Sequence, residues 1–523
     1  MRRGASLWRV VAVLLALSLV AAACGGDDDD GDDDALGAEE VVDPTGILRV
    51  GADLTQPTAG QIYPFPAIGA IDRLPENIFG TLLRLTPDGR SEPDLATSVE
   101  VVDPFTLVVT LRAGLTFTDG TVLDAAALKF SWENTLALSK GGEPEFREIA
   151  SLTVTAPLVL RVTLKKPIAG TFVRLMRLYE ASPVSPTAIK AGVDFNTAPV
   201  GAGPFKLESI TAGQSVKLVK NPTYWDADNV KVAGLHYVNV TPAAMTNAVR
   251  SNAIDLAVLS AAEAREVAGS PGFEITVEPT NGIMLLGLLC KSRPPFDDLK
   301  VRQALNYGLD RDAINAVVYD GKGESAWGFN NAASPYFDAS LKGRYDTDPV
   351  KAKQLLAEAG VPNLSFEMFY LPGAEGQSAA EIIQQQWDKI GVKVSLKPLA
   401  NNADFFPNAT GAPITIIPLN RVGIPKITRV LVPGNAGNVC NYDDPELNAL
   451  VTSLQGVDET SPDGVALWKK ISQNGITKAV HVFGLFGTRA LAVDESRLGG
   501  VTFSENRLGQ PTIDTRGVFV KKK

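Results

Sequence analysis

Hydrophobic and polar positions along this chain follow two periods, and the switches between them mark out the elements. ILRVGA at Ile47–Ala52 is a short apolar run bounded by glycine, which reads as a strand. Asn77–Leu85 reads as a helix. Thr106–Arg112 alternates Leu107, Val109 and Leu111, a strand with one buried face, and Ser98–Val102 precedes it across the turn Asp103-Pro104. Asp124 is placed to cap a helix reaching Leu136, whose inward face is Leu128, Ser131, Trp132 and Thr135. Leu152–Thr155 and Val159–Leu164 form a hairpin pattern, and Lys206–Ile210, Ser215–Lys220 and Leu235–Val240 read as further strands. A helix over Pro242–Asn252 and a strand at Asp255–Leu259 follow.

The second half is patterned more cleanly. In PPFDDLKVRQALNYGLDR, Pro294–Arg311, two prolines halt the preceding strand and Asp297 or Asp298 caps a helix with Val301, Ala304, Leu305, Gly308 and Leu309 on one face. Asp310 caps a second helix that buries Ile314, Val317 and Val318 and runs into the Gly321–Gly323 turn. Leu364–Tyr370 alternates, Ala379–Ile390 is helical up to Gly391, and Val392–Leu396 alternates again, the spacing of a βαβ unit. Strands and helices alternate throughout, so the fold class is α/β. No repeat of 20–50 residues is visible.

The N-terminus belongs to a different regime. Arg2 and Arg3 precede the apolar run Val10–Ala23, which ends in small residues and is short for a spanning helix, so residues 1–23 read as a secretory signal. Leu19-Val20-Ala21-Ala22-Ala23-Cys24 is close to a bacterial lipobox, in which the cysteine receives lipid and anchors the chain to the membrane. Residues 24–40 carry seven aspartates in the eight positions from Asp27 to Asp34, a self-repelling tether. Most of the chain's net charge of −10 lies there: from Val41 onward 46 basic residues face 50 acidic ones. No basic stripe points to nucleic acid.

The remaining chain is too long for one ordinary domain. Candidate chemistry is sparse. The two histidines, His236 and His481, lie far apart in apolar strands, which leaves a hydrolytic triad or histidine-rich metal site poorly supplied. Gly321-Lys322-Gly323-Glu324-Ser325-Ala326 follows a helix rather than a strand, so it reads as a turn and not a phosphate loop. No constellation asks for catalysis, a metal or a cofactor. Cys290 and Cys440 either pair as a disulfide or stay as buried thiols.

Six segments then occur in an order that resembles the family 5 extracellular solute-binding proteins, the peptide/nickel-type receptors of ABC importers. They are Glu92–Leu136, PVGAGPFKLE at Pro199–Glu208, KNPTYW at Lys220–Trp225, Pro294–Arg311, DPVKAKQLLAEAG at Asp348–Gly360 and NYDDPELNAL at Asn441–Leu450. The resemblance implies a two-lobed periplasmic-binding-protein fold with an extra subdomain in lobe one and a hinge of two crossover strands. Carried over, lobe one is about 41–282 with the extra subdomain at about 90–200. Lobe two is 283–489, and 490–523 returns to lobe one. Hinge closure on a small ligand is then the expected mechanism, in a monomer that works with a permease and ATPase subunits.

Two departures bear on the ligand. Peptide receptors of the family anchor the peptide's amine on an aspartate in a Trp-Gly-x-Asp-like stretch, but Pro413–Val430 has no acidic residue, and the anchor position falls near Asn420 or Arg421. A guanidinium there holds a carboxylate or phosphate instead of an ammonium. Cys290 stands where the family usually has asparagine. The cleft wall is expected to draw on Thr55, Tyr63, Phe65, Asn281, Trp327, Phe329, Asn420 and Arg421.

Overall fold

Two long strands set the frame, Phe273–Leu289 and His481–Asp494, paired antiparallel. His481–Asp494 is buried along its whole length except at half-buried Arg489, as a strand covered on both faces must be. The computed structural model describes residues 41–54, 74–86, 90–138, 144–371, 374–399, 413–420, 423–435, 437–438, 441–505 and 511–522.

Among these residues the long pair lies at the centre of an eleven-stranded sheet. On one side Phe273–Leu289 pairs antiparallel with Ile414–Asn420, which runs parallel to Ser365–Tyr370, itself parallel to Lys393–Pro398. The helix Ala374–Asp388 connects the last two, so the expected βαβ unit is present. On the other side Leu256–Leu259 pairs with the end of His481–Asp494, and Ile47–Ala52 lies parallel to Gly234–Asn239. The antiparallel strands Ser215–Lys220 and Phe205–Thr211 complete that edge. Glu324–Ser325 pairs with Phe486 and Leu485 off the main path.

A separate four-stranded antiparallel sheet is ordered Ala96–Asp103, Thr106–Leu111, Val159–Leu164, Ile149–Ala156. Leu128, Ser131, Trp132 and Thr135 of the helix Ala125–Leu138 are all buried, which is the inward face read from the spacing. Asp124 caps that helix through the Ala127 N–H at 2.8 Å.

The described apolar residues form four cores. The largest gathers residues from Leu48 to Tyr237 and takes in Leu498, Ile513, Val518 and Val520 from the C-terminal end. Two draw on residues 284–486, and a small one joins Val240–Phe273 to Ala490 and Ala492.

Two expectations from periodicity are corrected. The helix placed over Asn77–Leu85 is Leu74–Phe79; Gly80, at φ 71°, ends it, and Leu83–Leu85 pairs as a strand with Ser91–Pro93. In the helix Arg311–Tyr319, Ile314 is buried but Val317 is exposed and Val318 only half-buried, because Arg311, Asn315 and Tyr319 take the inner face. Asp298, not Asp297, caps the helix Leu299–Tyr307.

Candidate functional site

The helix Ile424–Leu431 begins four positions after the strand Ile414–Asn420 ends, with Gly423 as its N-cap. Gly423 has a φ of 67°, accessible to glycine at low cost, and Pro425 then fits the first helical turn. Ile424, Ile427, Val430 and Leu431 bury one face. The glycine N-cap brings no side-chain cap to the helix; Pro425 has no N–H to satisfy, and the Lys426 N–H donates to the Gly423 carbonyl at 3.0 Å.

Lys426 is buried with that face. Its ammonium donates to the carbonyls of Asn281 at 2.6 Å and Phe329 at 3.1 Å and lies 5.4 Å from the Phe486 ring centre. A buried charge needs such partners. Asn281 sits where the register of the long strands slips, between Pro279 and Met284. Its side-chain oxygen accepts from the Asn331 N–H at 2.7 Å. Nearby, Glu324 accepts from the Ala332 N–H at 2.8 Å, and burial pushes its carboxyl above the usual range. Asn330 Nδ2, Asn331 Oδ1 and Thr488 Oγ1 are buried there without a hydrogen-bond partner.

The helix start also meets a second charged group. A Cβ on Gly423 would lie 3.5 Å from Cδ of Arg174 and 3.3 Å from Oε2 of Glu459. Arg177 donates to Glu459 Oε1 at 2.6 Å, and these two side chains are 8% and 5% exposed. Arg174 belongs to the helix Ala169–Leu175 and is 6% exposed; its Nε, like Oε2 of Glu459, is buried without a hydrogen-bond partner among the described residues. The helix approaches closely: a Cβ on Gly170 would stand 1.6 Å from the Val457 carbonyl oxygen.

Of the residues expected in the cleft wall, Asn281 is part of this cluster. Phe329 contributes its carbonyl only, since its ring is fully buried against His481 and Phe483. Trp327 is half-buried, with the Arg311 guanidinium 5.2 Å from its ring centre. Asn420 pairs with Ile283 in the sheet. Thr55, Tyr63, Phe65 and Arg421 lie outside the described residues, as do Cys24 and Cys440. Cys290 is buried and disulfide-bonded.

Lys426, Arg174, Arg177 and Glu459 are members that sequence reasoning missed. The available signal was the pair Arg174 and Arg177 inside the apolar run FVRLMRL. Arginines inside an otherwise apolar run need a buried partner.

A family model for the bacterial extracellular solute-binding proteins, family 5, matches residues 90–417. The chain belongs to that family. It is therefore an extracytoplasmic substrate-binding protein of an ABC importer, a transport receptor and not an enzyme. Among curated relatives, the glutathione-binding protein GsiB of Salmonella paratyphi A is 28% identical over 382 residues, covering 69% of this chain and 70% of the relative. The GsiB of Escherichia coli K12 is 27% identical over 386 residues, with the same shares. Among solved structures, the unliganded open form of the periplasmic murein tripeptide-binding protein MppA is similar with a TM-score of 0.78 at 18% identity, covering 93% of this chain and 99% of that one. The substrate-binding protein CtaP of Listeria monocytogenes gives 0.75 at 22% identity, covering 91% and 100%. These establish a mixed α/β periplasmic-binding-protein fold for the receptor.

Proposed function

We propose that the receptor is lipid-anchored through Cys24, binds a peptide-like or other small organic solute by hinge closure, and delivers it to a membrane permease driven by cytoplasmic ATPases. Lobe one is 41–282 with 490–523, including an extra subdomain at about 90–200, and lobe two is 283–489. The chain works as a monomer. The observation that carries this reading is the contact of Lys426 with Asn281 at the register slip of the two long strands. It ties the start of one lobe's helix to the crossover about which the lobes would turn.

The relatives named for glutathione support a peptide-like solute. Pro413–Val430 offers no carboxylate for a free amine, so the ligand is held by its anionic groups, with Arg421 among the residues that hold them. Mass spectrometry of the solute retained by the purified protein, followed by calorimetry with that solute, tests the binding function. A retained anionic peptide-like compound that binds saturably is the expected result; tight binding that depends on a peptide's free amine would sink the ligand assignment. Incorporation of labelled fatty acid, abolished by Cys24→Ser, is the corresponding test of the anchor.

A further inference from the structure

We propose that Arg177 and Glu459 form the latch of the closed receptor, an ion pair that exists only while the two lobes are in contact. The proposal rests on the hinge-closure reading above and names a contact that closure makes. On that division of the chain, Arg177 belongs to lobe one and Glu459 to lobe two. The chain passes between the lobes twice, in the long strands Phe273–Leu289 and His481–Asp494. The surfaces that meet around Arg177 come from other segments: residues 169–177 of lobe one, and Gly423 with residues 456–459 of lobe two. Contact alone holds them together.

These surfaces approach closely, backbone to backbone. A Cβ on Gly170 would stand 1.6 Å from the Val457 carbonyl oxygen, and one on Gly456 would stand 3.3 Å from the Pro167 carbonyl oxygen. Yet the polar atoms between them are incompletely paired. Thr171 Oγ1 and Arg174 Nε from lobe one, and Glu459 Oε2 from lobe two, are buried without a hydrogen-bond partner among the described residues. A permanent interior pairs nearly all such groups. Groups that face water whenever the surfaces part are satisfied in that state, so a seam that opens tolerates a pattern that a fixed core does not.

The pair has the energetics of a latch. Arg177 and Glu459 are 8% and 5% exposed when joined at 2.6 Å, and parting the lobes returns both to water. In the joined form, loss of one partner strands the other's charge in a dry site; in the parted form it strands nothing. A neutral residue at either position therefore penalises the closed form alone, and apparent solute affinity falls with the closed fraction. A second ion pair across the lobes, Arg265 with Asp320, lacks this property. Its side chains are 60% and 36% exposed, so those charges stay solvated with or without the contact.

Double electron–electron resonance on the full chain tests this, with spin labels on Val122→Cys in lobe one and Val350→Cys in lobe two, both exposed positions. The labelled wild-type background is expected to populate a short, closed distance. Glu459→Gln should lower its closed-to-open ratio by at least roughly 10-fold, the effect of one stranded buried charge. Arg177→Met should act in the same direction, so the test stands if one variant does not fold. Arg177→Met with Glu459→Met leaves neither charge of the pair and should recover part of the closed population, while Asp320→Asn should leave the distances unchanged. Unchanged distances in Glu459→Gln and Arg177→Met overturn the latch, as does an equal shift from Asp320→Asn. The wild-type background, measured before and after bound solute is stripped by urea and refolding, then separates the two readings. Distances that change on stripping leave hinge closure standing without this latch; distances fixed under every condition remove hinge closure and the latch with it.

Discussion

Arg177 donates to Glu459 at 2.6 Å with both side chains more than nine-tenths buried, and the two residues are 282 positions apart in the chain. Arg177 follows a helix of the first core, while Glu459 precedes the helix Pro462–Thr477 of the second. The pair therefore bridges the first and second cores. Removing one partner strands a charge in a dry site, at a cost of about 3–5 kcal/mol. Glu459→Gln should lower the denaturation free energy by about that much. Arg177→Met with Glu459→Met should lose clearly less than the sum of the single variants, because no charge is left unpaired. A double-mutant cycle by urea unfolding measures both; additive losses would show that the pair does not act as a unit.

Gly170 makes the same contact in backbone terms. A Cβ there would fall 1.6 Å from the Val457 carbonyl oxygen, so Gly170→Ala forces the helix Ala169–Leu175 away from residues 456–459. Overpacking of this kind costs about 1–3 kcal/mol. The expected signature is faster amide exchange confined to residues 456–459 and 169–175, read by mass spectrometry. Unchanged exchange at both segments would mean that the helix yields without moving.

The second half of the fold was more legible in the sequence than the site, for a physical reason. Helices and strands with one buried face announce themselves by period, which is how Leu299–Tyr307, the βαβ unit and the inward face around Trp132 were read correctly. Asn77–Leu85 failed because it joins the last three residues of a helix to the three of a strand in one run of similar apolarity, which the left-handed Gly80 divides. Phe273–Leu289 could not be read as one strand because Pro279, Asn281 and Gly282 interrupt its pattern at the register slip. The charged cluster at Gly423 was hidden for a different reason. Lys426, Glu459 and the pair Arg174 and Arg177 come from three segments far apart in sequence, and a buried cation looks like a surface one until its neighbours are known.

Asn306 explains why the Pro294–Arg311 stretch packs as it does. Its amide donates to the carbonyls of Arg302 and His481, each at 3.0 Å, and its oxygen accepts from the Phe483 N–H at 3.0 Å. The side chain is fully buried, so it pins the helix Leu299–Tyr307 to the long strand His481–Asp494. Asn306→Leu keeps the volume but leaves the His481 carbonyl and the Phe483 N–H unsatisfied, at about 1–3 kcal/mol for each group. A loss of about 2–5 kcal/mol in unfolding free energy is expected; a change below about 1 kcal/mol would mean that relaxation or water replaces the amide.

Lys291 and His481 give the protein a dependence on pH with a definite sign. Both are fully buried. Burial, helped by the Arg302 charge, pulls the Lys291 ammonium down to about 7. Burial, helped by Lys291, holds His481 well below its ordinary value. In each case the unfolded chain binds the proton more readily, so stability rises with pH. For Lys291 the rise falls between about 7 and its ordinary value of 10.5. For His481 stability is lost as pH falls through 6.5 and below. Each slope is at most about 1.4 kcal/mol per pH unit, one proton's worth. Lys291→Met should flatten the alkaline rise and His481→Phe the acid fall, measured as urea midpoints across pH 5–10; the ring's T-shaped contacts with Phe329 and Phe483 make phenylalanine a fitting replacement.

Cys290 is disulfide-bonded, and the neighbouring residues indicate where its partner lies. The Lys291 ammonium sits 4.6 Å from the ring centre of Tyr442, and the Cys290 N–H donates to the Pro413 carbonyl at 2.9 Å. Cys440 is two residues from Tyr442, whereas Cys24 belongs to the expected lipid attachment. Peptide mapping without reduction should therefore recover Cys290 joined to Cys440. The bond closes a loop of roughly 150 residues, for which the chain-entropy relation gives about 5 kcal/mol at most. Cys440→Ser should lower stability by about 2–5 kcal/mol, and dithiothreitol should lower the wild-type unfolding midpoint without affecting the variant. A wild-type midpoint that does not respond to reduction, together with two titratable thiols before it, would show that the cysteines stay apart.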